Sequence, residues 1–170
     1  MRLALSVMIL GSVLLAPQAQ AQFQNRGIGF NVGYLDFTNH DGVDFGIPVG
    51  LHHSNYIDNN IEFTTHLTAM LTEVPAVGQL GVGLGGQIGA RYLFMTDVLR
   101  PYVGAHLAYF GVYYPGTQFH AGGIGPNAGV DYFLNDSWSI GARGQFTLFV
   151  QLGQEPAWSY GGGLELTTWY

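Results

Sequence analysis

The chain has 170 residues with five Arg and no Lys against eleven acidic residues, a formal charge of −6, and no Cys. This balance excludes a nucleic-acid partner, which needs a basic patch to neutralise phosphates, and it excludes both a disulfide framework and a lipid-modified Cys. Hydrophobic residues make up 48% of the chain and Gly numbers 26, yet past the first residues no apolar run approaches the roughly twenty of a transmembrane helix, so a closed barrel of strands is the remaining way through a bilayer.

Met1 and Arg2 precede an apolar stretch from Leu3 to Leu15, then Pro17 and Ala19-Gln20-Ala21. That is the layout of a secretory signal peptide over residues 1–21, which leaves residues 22–170 as one barrel domain. The first strand is expected over about 28–37, with Ile28, Phe30, Val32 and Tyr34 on one face. Asn39-His40-Asp41-Gly42 reads as a hairpin connection, since Asp-Gly favours positive φ. Val43, Phe45, Ile47, Val49 and Leu51 mark the outer row of strand two, and a turn is expected over 54–59. In strand three Ile61, Phe63, Thr65, Leu67, Ala69 and Leu71 alternate with Glu62, Thr64, His66 and Thr68.

A loop with Pro75 and Gly78 leads to the clearest alternation of the chain: Leu80, Val82, Leu84, Gly86, Ile88, Ala90, Tyr92 and Phe94, separated by small or polar residues. Strands of soluble sheets average roughly five or six residues, whereas a tilted strand crossing a bilayer needs about ten. After a turn over 96–101, strand five carries Val103, Ala105, Leu107 and Tyr109 outward, and a loop is expected from Pro115-Gly116 to about His120. Ile124, Pro126, Ala128, Val130, Tyr132 and Leu134 form the outer row of strand six, where Pro126 must weaken a ladder position or mark a bulge. Asn135-Asp136-Ser137 is a tight turn, strand seven follows with Trp138, Ile140, Ala142, Phe146, Leu148 and Val150, and strand eight runs from Trp158 to Tyr170.

The pattern predicts an all-β fold, an eight-stranded antiparallel transmembrane β-barrel. An even strand count puts both chain ends on the periplasmic side. The inward row contains Asn31, Asp44, Glu62, His66, Gln87, Arg91, Asn127, Asp131, Arg143, Gln145 and Glu165. As the surface of a soluble, ligand-binding barrel this set has too few charges; as a lumen it is a small polar interior, about filled by side chains. Charges in such a space must pair or keep water, so Glu62, Arg91, Asp131, Arg143 and Glu165 are expected to form one network. Tyr34, Tyr92, Tyr109, Trp138 and Trp158 are expected at headgroup depth.

Arg100-Pro101-Tyr102-Val103-Gly104-Ala105, and Gly129 to Ile140 with its aromatic strand end and tight turn, resemble recurring segments of the small outer-membrane barrel proteins of Gram-negative bacteria, the OmpA/OmpX-like or porin-family group. The chain end is similar to that group's assembly signal through Leu164, Leu166 and Tyr170, with Thr168 as a departure. The resemblance implies an integral outer-membrane protein, exported through the periplasm, in contact with outer-membrane lipid and lipopolysaccharide and transiently with the barrel-assembly machinery. Eight strands close alone, so a monomer is expected.

Function is expected to be structural or docking, with a largely plugged lumen; a narrow small-solute channel is the alternative. His52-His53-Ser54-Asn55 resembles the His-x-Ser-Asn motif of outer-membrane lipid A deacylases, which by that resemblance would make His52 the base and Ser54 the nucleophile. The motif falls early in the chain, on the lumen parity and near the periplasmic end, so no catalytic residues and no cofactor are expected. A metal site on His52 and His53 is not expected either, because adjacent strand residues point to opposite faces.

Overall fold

The structure, a computed structural model, describes residues 25–38, 45–74, 79–114, 117–150 and 155–170. The signal-peptide reading, the Asn39 to Gly42 hairpin, Val43, Asp44, Pro75, Gly78 and Pro115-Gly116 lie outside the described residues. Eight strands, β1 (Arg26–Thr38), β2 (Phe45–Tyr56), β3 (Ile61–Val74), β4 (Gln79–Leu93), β5 (Leu99–Tyr114), β6 (Thr117–Asn135), β7 (Trp138–Val150) and β8 (Ala157–Trp169), pair in chain order. The sheet closes where β1 meets β8, from Gly27 opposite Trp169 to Thr38 opposite Trp158. Closure leaves no unpaired edge, the condition for carrying backbone N–H and C=O groups through hydrocarbon. The fold is an antiparallel transmembrane β-barrel.

The period of two sorts the side chains. Ile28, Phe30, Val32, Leu67, Leu84, Leu107, Ile124, Ile140, Leu164 and Leu166 all face outward and are exposed. Their alternates face a lumen narrow enough to bury Glu62 and Arg91 to 1% and 3% exposure. Strands of 12 to 19 residues exceed the roughly ten that a crossing needs, so they extend past a bilayer at their ends. Tyr92, Tyr132, Trp138 and Tyr170 stand exposed near the end that carries the short turns, and Tyr34, Tyr109, Trp158 and Tyr160 near the opposite end. Two aromatic rims thus bracket the apolar band.

Connections at the short-turn end are tighter than the sequence suggests. The turn expected over 54–59 is confined to residues 57–60, because Asp58 Oδ1 accepts from the Asn60 and Ile61 N–H groups at 2.8 Å each. Ser54, Asn55 and Tyr56 are therefore ladder residues opposite Thr64, Phe63 and Glu62. The expected 96–101 turn likewise gives way to β5 at Leu99; Pro101 pairs with Val130, and its carbonyl accepts from the Phe94 N–H at 3.0 Å. Asn135 Oδ1 closes the Asp136-Ser137 turn by accepting from the Ser137 N–H at 2.9 Å.

At the far end the loop expected up to His120 is strand instead. Phe119 and His120 lie in register with Val112 and Gly111, and the ladder reaches Tyr114 opposite Thr117. Pro126 acts as expected: it pairs with Ala105 on the β5 side, while on the β7 side the ladder skips from Ile124–Leu148 to Asn127–Gln145 without a change of register. A missing N–H removes a bond on one edge only. Pro48 does the same in β2, keeping Met70 as partner while the β1 ladder skips from Val32–Val49 to Leu35–Gly46. The bulge of the β6–β7 pair sits between Phe133 and Asn135.

Candidate functional site: the barrel lumen

Inward-facing side chains divide the lumen into three levels. At the short-turn mouth, Tyr56 stacks on Trp169 with ring centroids 5.1 Å apart, and Phe133 packs against Trp169 at 5.4 Å. The Arg100 guanidinium lies 3.9 Å over the Phe133 ring and donates to Tyr56 Oη at 3.0 Å. Trp169 Nε1 donates to Ser139 Oγ at 2.8 Å, which fixes the indole across the opening. A cation held over aromatic faces and tied to a hydroxyl is a specific closure.

Above this lid, Glu62, Arg91, Asp131, Arg143 and Glu165 come together from β3, β4, β6, β7 and β8. Arg91 is the hub. Its Nη2 donates to Glu165 at 3.2 and 3.3 Å, its Nη1 lies 3.9 Å from both Glu62 and Asp131, and its guanidinium stacks 4.3 Å over the Tyr102 ring. Arg143 Nε reaches Glu165 Oε1 at 3.4 Å, so the Glu165 carboxylate bridges the two arginines. Register explains part of this: Glu62 sits directly opposite Arg91 on β3 and β4. The contact with Glu165 runs across the lumen, where strand adjacency gives no guide.

Three histidines join this level, each held by short polar neighbours. His52 Nε2 is 2.9 Å from Thr167 Oγ1. His106 has Thr147 Oγ1 at 2.9 Å from Nε2 and Asn127 Nδ2 at 3.3 Å from Nδ1. His66 has Asn31 Nδ2 at 3.2 Å from Nδ1, and Arg143 Nη1 lies 2.9 Å from Nε2 and 3.3 Å from Nδ1. His52 reaches Thr167 across β1 because position 29 is Gly; a Cβ there would collide with the imidazole. His52 and Ser54, which the sequence brings together by motif, both face the lumen at 3% and 2% exposure. His53 pairs with Ile28 on the opposite face, as alternation requires, but the register sets His52 directly opposite His66, which the sequence reading did not connect.

The third level corrects the expectation of a polar interior. Leu35, Met70, Phe110, Val112, Ala121 and Phe149 form a buried apolar cluster toward the far end, with Phe37, Ala108 and Phe119 packed on it. Phe37 stacks on Phe110 and packs at a tilt against Phe149, with centroids 6.2 Å away in each case. Glycines on adjacent strands make the room: a Cβ at Gly83 or Gly85 would strike the Phe110 ring, and one at Gly46 would strike the Met70 thioether. Between this plug and the charged level lies a cavity of about 40 Å³, lined on one side by Asn31, Gln87, Arg143, Gln145 and Glu165 and on the other by Leu35, Phe37 and Phe110. It has room for roughly two or three waters.

Leu164, Leu166 and Tyr170, the residues of the assembly-signal resemblance, all face outward and are exposed. No protein-family model matches this chain, and no curated protein matches it. Solved structures do. Neisserial surface protein A superimposes with a TM-score of 0.71 at 16% identity, covering 85% of this chain and 97% of that one. The outer membrane protein OprG from Pseudomonas aeruginosa gives 0.58 at 12% identity, covering 85% and 96%. The N-terminal β-barrel domain of OprF from the same organism gives 0.51 at 19% identity, covering 86% and 99%. The fold of this chain is that of the small eight-stranded outer-membrane barrels of Gram-negative bacteria.

Proposed function

We propose that this protein is an integral outer-membrane barrel whose lumen does not conduct, and that it serves the envelope structurally or as a docking point through its rims. The observation that carries the reading is the three-level occlusion of the lumen by the Tyr56–Trp169–Phe133 lid, the Arg91 network and the Phe110–Phe149 plug. An eight-stranded barrel has just enough interior for side chains to fill, which supports this reading. The short-turn end then faces the periplasm, the apolar band meets outer-membrane lipid and lipopolysaccharide, and the barrel-assembly machinery is a transient partner. A single closed sheet supports a monomer.

The test is single-channel recording of the refolded protein in a planar bilayer, with Arg143→Ala beside it. Both should be silent. Stable conductance steps in the wild type that change in Arg143→Ala would overturn the plugged reading in favour of the narrow small-solute channel. Ester hydrolysis of lipid A at His52 and Ser54 has less support, because both side chains point away from lipid. Lipid A from cells overproducing the protein should keep its mass; loss of an acyl chain that depends on Ser54 would reverse that conclusion.

A further inference from the structure

We propose that His52, His66 and Glu165 form a divalent transition-metal site inside the barrel, zinc by ligand type, with Arg143 as its built-in competitor. One ligand atom from each of the three lies within 4.8 Å of the other two, and all three residues are buried on strands of the closed sheet. Two imidazoles and a carboxylate are a donor set that zinc takes, leaving one position for a water. Zinc bonds of about 2.0–2.1 Å require the donors to close in by roughly an ångström, within reach of small rotamer changes.

The surroundings of the rings fit ligands better than they fit mere filling. A metal-binding histidine commonly gives one nitrogen to the metal and fixes the other through a hydrogen bond. His52 is fixed by Thr167 at Nε2, and its buried Nδ1 has no hydrogen-bond partner among the described residues. His66 has Asn31 Nδ2 3.2 Å from its Nδ1, and a cation, the Arg143 guanidinium, already sits against the ring, 2.9 Å from Nε2 and 3.3 Å from Nδ1. The same guanidinium reaches Glu165 at 3.4 Å, so it touches two of the three groups the ion would bridge. His106 makes the contrast: Thr147 and Asn127 engage both of its nitrogens, and it is not part of the ligand group.

The displaced guanidinium has a place to go. Arg143 also borders the cavity, where the buried Gln145 Oε1 has no partner among the described residues and can accept a displaced guanidinium. Binding would thus exchange one cation for another at His66 and Glu165 while Arg143 moves to Gln145.

The experiment is a zinc titration of the refolded protein in micelles, with zinc supplied either during refolding or afterwards, and metal counted per chain after desalting. Wild type should retain one zinc ion. His66→Ala, His52→Ala and Glu165→Gln should each weaken binding by at least about 10- to 100-fold, more than loss of a supporting residue does. His106→Ala should leave it unchanged. Arg143→Met, by removing the competitor, should tighten binding at least about tenfold. Cobalt in place of zinc should give visible absorption that vanishes in His66→Ala. If Arg143→Met does not fold, His52→Ala against His106→Ala decides. No retained zinc in either loading, or retention that survives both His52→Ala and His66→Ala, overturns the site.

Discussion

The two halves of the lumen solve the same packing problem with opposite chemistry. The half near the short turns fills its space with Arg91, Arg143, Glu62, Asp131 and Glu165; the far half fills it with Leu35, Met70, Phe110, Val112 and Phe149. Both are dense, but their failure modes differ. An apolar plug loses contact area when a side chain is cut and can partly collapse. A buried charge network is left with an unpaired charge when one member is removed, and the remaining charges cannot relax into anything equivalent.

The largest effect is therefore expected at the hub. Arg91→Met keeps the volume and removes the charge, leaving Glu62 and Asp131 without their ion-pair partner and Glu165 with Arg143. Unfolding in urea, followed by gel mobility and circular dichroism in micelles, should show a loss of about 3–5 kcal/mol. Met70→Ala in the plug, where Met70 is 1% exposed, should cost about 2–3 kcal/mol. If the two losses came out equal, or the order reversed, the charged half would not be the more fragile one. High salt should not restore Arg91→Met, since buried charges are poorly screened.

The sequence makes the outer row and the charged half legible and hides the plug, for one physical reason. Alternation reports which face a residue is on, and charge on the inward parity can only mean pairing within the lumen. Glu62, Arg91, Asp131, Arg143 and Glu165 are therefore recognisable as a group before any distance is known. Leu35, Met70, Phe110 and Phe149 lie on the same parity, but among apolar outward residues they look like lapses in the pattern. The signal that they belong together is the glycine opposite each of them: Gly85 pairs with Phe110, Gly123 with Phe149 and Gly161 with Leu35. That signal needs the strand register. The Trp169 lid is hidden similarly, because the eye follows Tyr170 and the outward row of the last strand. His66 escapes notice as a neighbour of His52 since they are 14 positions apart in the chain and adjacent only through the β2–β3 ladder.

Complementarity of glycine and aromatic gives the next test. Gly85→Ala places a Cβ against the Phe110 ring, an overpacking expected to cost about 1–3 kcal/mol. Combined with Phe110→Leu, which frees that space, the loss should be smaller than the sum of the two single losses. Strict additivity would mean that the glycine serves another contact, such as the Tyr109 carbonyl oxygen 2.9 Å from where a Cβ would sit.

The smallest expected effect separates the lumen from the outer face by one substitution made twice. Thr147 is fully buried, and its Oγ1 lies 2.9 Å from His106 Nε2, so Thr147→Val leaves an imidazole nitrogen in the lumen without its partner. That should cost about 1–2 kcal/mol, the penalty of an orphaned buried group in addition to the lost bond. Thr65 lies on the outer row with its Oγ1 shielded from solvent and without a hydrogen-bond partner among the described residues. Thr65→Val there removes a hydroxyl that makes no bond and presents a methyl to lipid, and stability should stay within about 0.5 kcal/mol or rise. Equal losses at both positions would mean that the hydroxyl matters for the backbone of any strand; unequal losses tie its value to the polar lumen alone.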